Sequence, residues 1–86
     1  MTKEPLKACM VCGNFTVRPV GWDVCRVCFW EDDGVIEPDR HSASNHMTVA
    51  EGREAFARYG AVEERFASKV RPPRKRERPE NQPSPT

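Results

Sequence analysis

Four cysteines spaced C-x2-C-x12-C-x2-C, Cys9, Cys12, Cys25 and Cys28, constrain this chain more than any other feature. Two residues between cysteines let both sulfurs of a pair point at one ion while backbone N–H groups face the sulfurs. Gly13, directly after Cys12, permits the tight turn that such a knuckle needs. Twelve residues between the pairs suit a hairpin that returns the chain to its starting point. Four soft sulfur ligands leave no open position, which describes a closed structural zinc site with one zinc per chain.

The chain needs such a staple. Its 86 residues make one domain at most, and only 37% of them are apolar. Roughly 65 residues can contribute to a fold, a size at which apolar burial and chain entropy nearly cancel. Two disulfides would use the same four residues. The opening stretch "MTKEPLKACM" lacks the apolar run of a secretory signal, however, and no run approaches a membrane span. The expected compartment is therefore the cytoplasm, where paired cysteines more often bind metal than each other. A rubredoxin-like iron site takes the same ligands, but only the first pair is followed by glycine. A redox-active C-x-x-C would leave the second pair unexplained.

Between the pairs, "FTVRPVGWDV" alternates apolar and polar residues around Pro19 and Gly21, which predicts two strands joined by a turn. After Cys28, "FWEDDGVIEPDRHSASNHM" has no sustained period and reads as an ordered loop pinned by Phe29, Trp30, Val35 and Ile36. Thr48 and Glu51 have capping-box spacing, so a helix is expected from Thr48 to about Tyr59, stopped by Gly60. Val49, Phe56 and Tyr59 would share its inner face, Glu54 and Arg58 would pair, and Gly52 would weaken it by about 1 kcal/mol. Val62, Phe66 and Val70 predict a second, shorter helix before Pro72. The fold class is thus a small zinc-bound α+β domain: zinc-ribbon-like knuckles on a short hairpin, followed by one or two helices.

Residues 1–7 read as a flexible lead, 8–70 as the folded domain, and 71–86 as a disordered basic tail holding five of the eight prolines. The formal charge of +1 hides an uneven distribution. Residues 1–68 carry eight Lys/Arg against eleven Asp/Glu, and residues 69–86 carry six against two. An acidic body with a basic tail is expected.

The stretches "CMVCG", "VCRVCFWEDDG", "NHMTVAEGREAFARYGAVEERF" and "VRPP" together resemble the bacterial cysteine-rich CPCC domain family over about residues 8–73. The most specific part is C-x-V-C-F-W-E-D-D-G. The resemblance implies a small bacterial zinc-binding protein or module whose biochemical role is not established. The family's naming motif is C-P-C-C-G, whereas Cys9, Met10, Val11, Cys12 and Gly13 stand here. The proline and the middle cysteine are missing, which puts in doubt any role special to that extra thiol and leaves the outer pair intact.

The acids beside the second pair, Glu31, Asp32 and Asp33, invite a catalytic reading as general bases. That chemistry needs an open coordination position, which four cysteines do not leave. No H-E-x-x-H, nucleophile elbow or phosphate-cradling glycine loop accompanies them, so no enzyme is expected. The acids are better read as turn caps or partners of Arg18, Arg26 or Arg40, with Phe29 and Trp30 packed on the metal site. An acidic, aromatic-edged partner surface of Trp30, Glu31, Asp32 and Asp33 is the functional alternative, although Trp22 and Trp30 are first expected in the core. His41 and His46 have no cysteine nearby in sequence and read as surface or loop-anchoring residues rather than ligands.

In the tail, Arg71, Arg74, Lys75, Arg76 and Arg78 are candidate polyanion contacts through counterion release. No aromatics interleave for base stacking, and Glu77 and Glu80 dilute the run. A tail without an apolar face does not suit a membrane surface. The reading as a whole is a zinc-stabilised module that binds an unidentified protein partner without catalysis. A nucleic-acid-associated zinc protein working through its tail, and a thiol redox protein, are the alternatives. An amphipathic helix this short suits a second copy of the chain as well as its own hairpin, so the oligomeric state stays open.

Overall fold

A computed structural model describes residues 5–82. Six short strands precede one α-helix: β1 (Lys7–Ala8), β2 (Phe15–Val17), β3 (Asp23–Val24), β4 (Glu31–Asp32), β5 (His41–Ser42), β6 (Met47–Thr48) and α1 (Val49–Tyr59). The strands form three separate antiparallel hairpins, β1–β2, β3–β4 and β5–β6. Three 3-10 turns follow, at Glu64–Lys69, Lys75–Glu77 and Pro79–Asn81.

The expected hairpin between the cysteine pairs does not form as a ladder. Phe15–Val17 pairs backward with Lys7–Ala8, and Asp23–Val24 pairs forward with Glu31–Asp32. The connecting turn is closed instead by a side chain, because the Asp23 carboxylate accepts from the Arg18 backbone N–H at 2.9 Å and from its guanidinium. Each cysteine pair therefore sits at the tip of its own hairpin. The stretch after Cys28, expected as a loop, supplies β4, β5 and β6, strands too short for a period of two to show in sequence.

Helix α1 begins as its capping box dictates. Thr48 Oγ1 accepts from the Glu51 N–H at 3.1 Å, and the Glu51 carboxylate accepts from the Thr48 N–H at 2.8 Å. It ends at Gly60, whose N–H donates to the Phe56 carbonyl. Val49 is fully buried, Phe56 is partly buried against the core, and Tyr59 is exposed. Glu54 and Arg58 form no ion pair among the described residues, and Arg58 lies over the Tyr59 ring instead. Gly52 does more than weaken the helix. A Cβ there would meet Val11 Cγ2 at 3.0 Å and the Trp30 ring at 3.2 Å, so the missing side chain is what lets α1 lie on Trp30. Trp30 is fully buried at the centre of the core with Val11, Val17, Val27, Val49 and Val62.

The second helix is a six-residue 3-10 turn rather than an α-helix. Phe66 leaves the expected register to stack on Phe29, with ring centroids 4.3 Å apart. The tail also differs from its expected disorder. Residues 71–82 are folded onto the body: the Arg71 N–H donates to the Arg26 carbonyl, and Glu77, 4% exposed, takes both guanidinium nitrogens of Arg71 at 2.8 Å. A single buried carboxylate supplies what the segment lacks in apolar residues. Residues 1–4 of the expected lead and 83–86 of the expected tail lie outside the described residues. Lys7, the last residue of that lead, is already in β1 and bonds Asp32 at 2.7 Å.

Candidate metal centre

The two knuckles are built alike, bond for bond. In the first, the Val11 N–H donates to Cys9 Sγ at 3.4 Å, Gly13 N–H to the Cys9 carbonyl at 2.9 Å, and Cys9 N–H to the Asn14 carbonyl at 2.9 Å. In the second, Val27 N–H donates to Cys25 Sγ at 3.4 Å, Phe29 N–H to the Cys25 carbonyl at 2.9 Å, and Cys25 N–H to the Trp30 carbonyl at 2.9 Å. The residue after each second cysteine has left-handed backbone, φ 78° at Gly13 and φ 70° at Phe29. Glycine adopts that conformation freely; Phe29 is strained there and is held by its stack on Phe66.

The hairpins bring Cys9, Cys12, Cys25 and Cys28 together, with all four sulfurs within 4.8 Å of one another. Cys9 and Cys28 sulfurs are 3.4 Å apart, and those of Cys12 and Cys25 are 3.7 Å apart. None of the four is in a disulfide. A tetrahedron of thiolates bound at about 2.3 Å has edges of about 3.8 Å, so the spacing fits one divalent ion. Cys9, Cys25 and Cys28 are buried, and Cys12 is half-buried.

Without a cation the four sulfurs oppose one another. Contacts with Cys12, Cys25 and Cys9, then burial, push Cys28 far up, and Cys12 and Cys25 push Cys9 up. Cys25 is driven down by Cys12, Cys28 and Cys9 as donors, with the Thr16 hydroxyl at 2.9 Å adding to the effect. Four thiolates this close and this buried cannot all carry their negative charge unaided. A divalent ion removes that conflict by stabilising every thiolate.

Each carboxylate of the acidic stretch after the second knuckle has a partner within the fold. Trp30, first expected in the core and alternatively at a partner surface, is fully buried, and its indole N–H has no hydrogen-bond partner among the described residues. The Glu31 backbone is held from both sides by the Asn45 side chain, whose oxygen accepts from Glu31 N–H and whose nitrogen donates to Glu31 C=O. Its carboxylate accepts from the Trp22 indole at 3.3 Å. Asp32 is buried and pairs with Lys7, while Asp33 accepts from the Ser42 hydroxyl at 2.7 Å and the Val35 N–H. Burial raises Asp33, and those bonds outweigh it to leave its carboxyl below the usual range. Arg18 and Arg26 serve Asp23 rather than this stretch, and Arg40 makes only a long contact with Glu37. Trp22, expected in the core, is 52% exposed.

His41 and His46 are exposed and outside the four-sulfur cluster. Of the tail cations, Arg71 is engaged by Glu77, whereas Arg74, Lys75, Arg76 and Arg78 are exposed and make no ion pair among the described residues. Sequence reasoning missed Thr16, Ser42, Asn45 and Asp23. For Ser42 and Asn45 a signal existed, since Ser and Asn cluster where side chains replace backbone partners. For Thr16 the alternation of Phe15 and Val17 gave its face but not its neighbour.

Two equivalent knuckles closing on one four-sulfur centre, backed by a single helix, define a small α+β domain built on a potential metal site. The family described as cysteine-rich CPCC matches residues 7–77, and the chain belongs to that family. The match extends beyond position 70 to include the Arg71–Glu77 clasp. No curated protein and no solved structure matches the chain. Among the described residues no helix is long and apolar enough to cross a membrane.

Proposed function

We propose that this chain is a zinc-stapled module without catalysis of its own, which acts by binding a protein partner. The closed set of four sulfurs at metal-binding spacing carries the reading. Four thiolates complete a tetrahedron and leave no position at which water or substrate is activated. The carboxylates nearest in sequence support it too, since Asp32 and Asp33 are committed to Lys7, Ser42 and Val35. The partner surface moves from Trp30 to Trp22 and Val20, which are exposed on the turn that Arg18 and Asp23 close. The Trp22 indole donates to the Glu31 carboxylate, a bond that favours one presentation of the ring.

Cobalt titration of the reduced, metal-free chain tests the site. One equivalent should give the intense visible bands of tetrahedral thiolate coordination, and one equivalent of zinc should abolish them. Weak six-coordinate bands, or cobalt that zinc fails to displace, would refute the closed zinc site. For the surface, Trp22→Ala should leave thermal unfolding within about 0.5 kcal/mol of the parent while removing a crosslinked species formed in cell extract. An unchanged set of crosslinks removes Trp22 from the proposal.

A further inference from the structure

The basic residues near the C-terminus are not a loose tail. Arg74, Lys75, Arg76 and Asn81 line an open cleft of about 460 Å³, and among the described residues no carboxylate lines it. The backbone around it is tied by side-chain amides: Asn81 Nδ2 donates to the Lys75 carbonyl at 2.7 Å, and Gln82 Nε2 donates to the Arg76 and Arg78 carbonyls. Glu77 turns inward and is neutralised by Arg71, so of the two acids that dilute the run in sequence only Glu80 stays exposed.

The clasp also fixes where this cleft sits. Arg71 N–H donates to the Arg26 carbonyl, and the turn at Lys75–Glu77 packs against β2, which Arg18 follows directly. Lys69 and Arg26 line a second pocket of about 270 Å³ with Asp23, Val24, Cys25 and Phe29. Two links, Arg71 to Arg26 and the Lys75–Glu77 turn to β2, thus tie the segment that carries Arg74, Lys75 and Arg76 to the part of the body that carries Arg18, Arg26 and Lys69. On the body, the Asp23 carboxylate is buried and paired with both Arg18 and Arg26.

We propose that these cations form a single face that binds the phosphate backbone of a nucleic acid. Its composition favours phosphate over a protein partner. Protein interfaces centre on apolar and aromatic anchors, and the large exposed apolar residues, Leu6, Val20, Trp22, Ile36 and Tyr59, line neither the cleft nor the second pocket. Arginine predominates, and its planar fork suits phosphate oxygens. Without base-stacking groups the face reads charge rather than sequence.

The test is fluorescence anisotropy of the zinc-loaded full chain with a labelled oligothymidine and a labelled mixed-sequence duplex, in rising potassium chloride. Binding should weaken linearly on a log–log plot. Lys75→Ala with Arg76→Ala should lower duplex affinity about 10-fold and reduce the slope by about 2. Lys69→Glu should also weaken binding, because the body contributes to the face. All these side chains are exposed, and circular dichroism checks that the variants fold. Absence of binding at 50 mM salt overturns the proposal, as does parental affinity in the double variant. Loss in the double variant with none in Lys69→Glu overturns the joined face. Competition by polyglutamate as strong as by DNA overturns the assignment to nucleic acid.

Discussion

The two knuckles share one backbone design and differ in what covers them. The first is covered by α1: Arg53 Nε donates to the Met10 carbonyl at 2.9 Å, and Gly52 lets the helix lie on Val11. The second is covered by Val62, Phe66 and Arg71, which follow α1. Val62 N–H donates to the Cys28 carbonyl, Phe66 stacks on Phe29, and Arg71 N–H donates to the Arg26 carbonyl. Local sequence accordingly differs where the covers differ. Glycine takes the left-handed position in the first knuckle, and an aromatic takes it in the second because a stacking partner arrives from 37 residues further on. One local geometry is thus reached by two routes, one intrinsic and one imposed by packing.

The largest effect should come from the sulfurs themselves. Cys25 is buried and receives Thr16 Oγ1 and Val27 N–H, whereas Cys12 is half-buried. Cys25→Ser should unfold the domain at room temperature, because structural metal binding supplies about 10 kcal/mol or more of folding free energy. Cys12→Ser should leave a weaker but folded, metal-dependent domain. Circular dichroism with and without added zinc compares them, and equal loss in both would erase the asymmetry.

Next comes the cover of the second knuckle. Glu77→Gln leaves the Arg71 guanidinium without its ion pair and should cost about 2 kcal/mol in chemical unfolding at pH 7. The Arg71 guanidinium holds the Glu77 carboxyl down at about 2, below its ordinary 4.5. A depressed carboxyl stabilises the fold above its unfolded value and loses that contribution as pH falls toward its folded one. The gap between parent and Glu77→Gln should therefore narrow from about pH 4.5 to pH 2. A gap that is constant across this range would mean the clasp contributes nothing electrostatic.

On the first knuckle, Gly52→Ala sets helix propensity against packing. The alanine gains about 1 kcal/mol in the helix, but its Cβ meets Val11 and the buried Trp30 ring. Overpacking of this kind costs about 1–3 kcal/mol, so a net destabilisation of about 1 kcal/mol is expected in thermal melts. A stabilised variant would show that α1 can lift from Trp30 without loss. The smallest effect is at the left-handed pair. Gly13→Ala should cost about 1 kcal/mol, and Phe29→Gly should cost about the same, because relief of strain offsets part of the lost stack. A stabilising Phe29→Gly would mean that Phe66 does not hold the turn.

What was legible in the sequence was what lies close together along the chain. The cysteine spacing gave both knuckles, Thr48 with Glu51 gave the helix start, and Gly60 gave its end. The failures are long-range. Val17 finds Lys7 as its strand partner rather than the run after the turn, because Arg18 and Asp23 close that turn through side chains. Asn45 reaches Glu31 across fourteen positions to stand in for a missing strand. Glu77 orders a proline-rich segment that composition alone marks as unable to fold, since composition does not record that one carboxylate is buried against Arg71.

The central claim is that the four sulfurs hold one structural zinc. Native mass spectrometry of the untagged protein, paired with circular dichroism before and after a strong chelator, tests it most directly. One zinc per chain, with folding lost on chelation and restored by zinc, is the predicted result. A chain that is folded while free of metal would contradict it, and would return Cys9, Cys12, Cys25 and Cys28 to thiol redox chemistry.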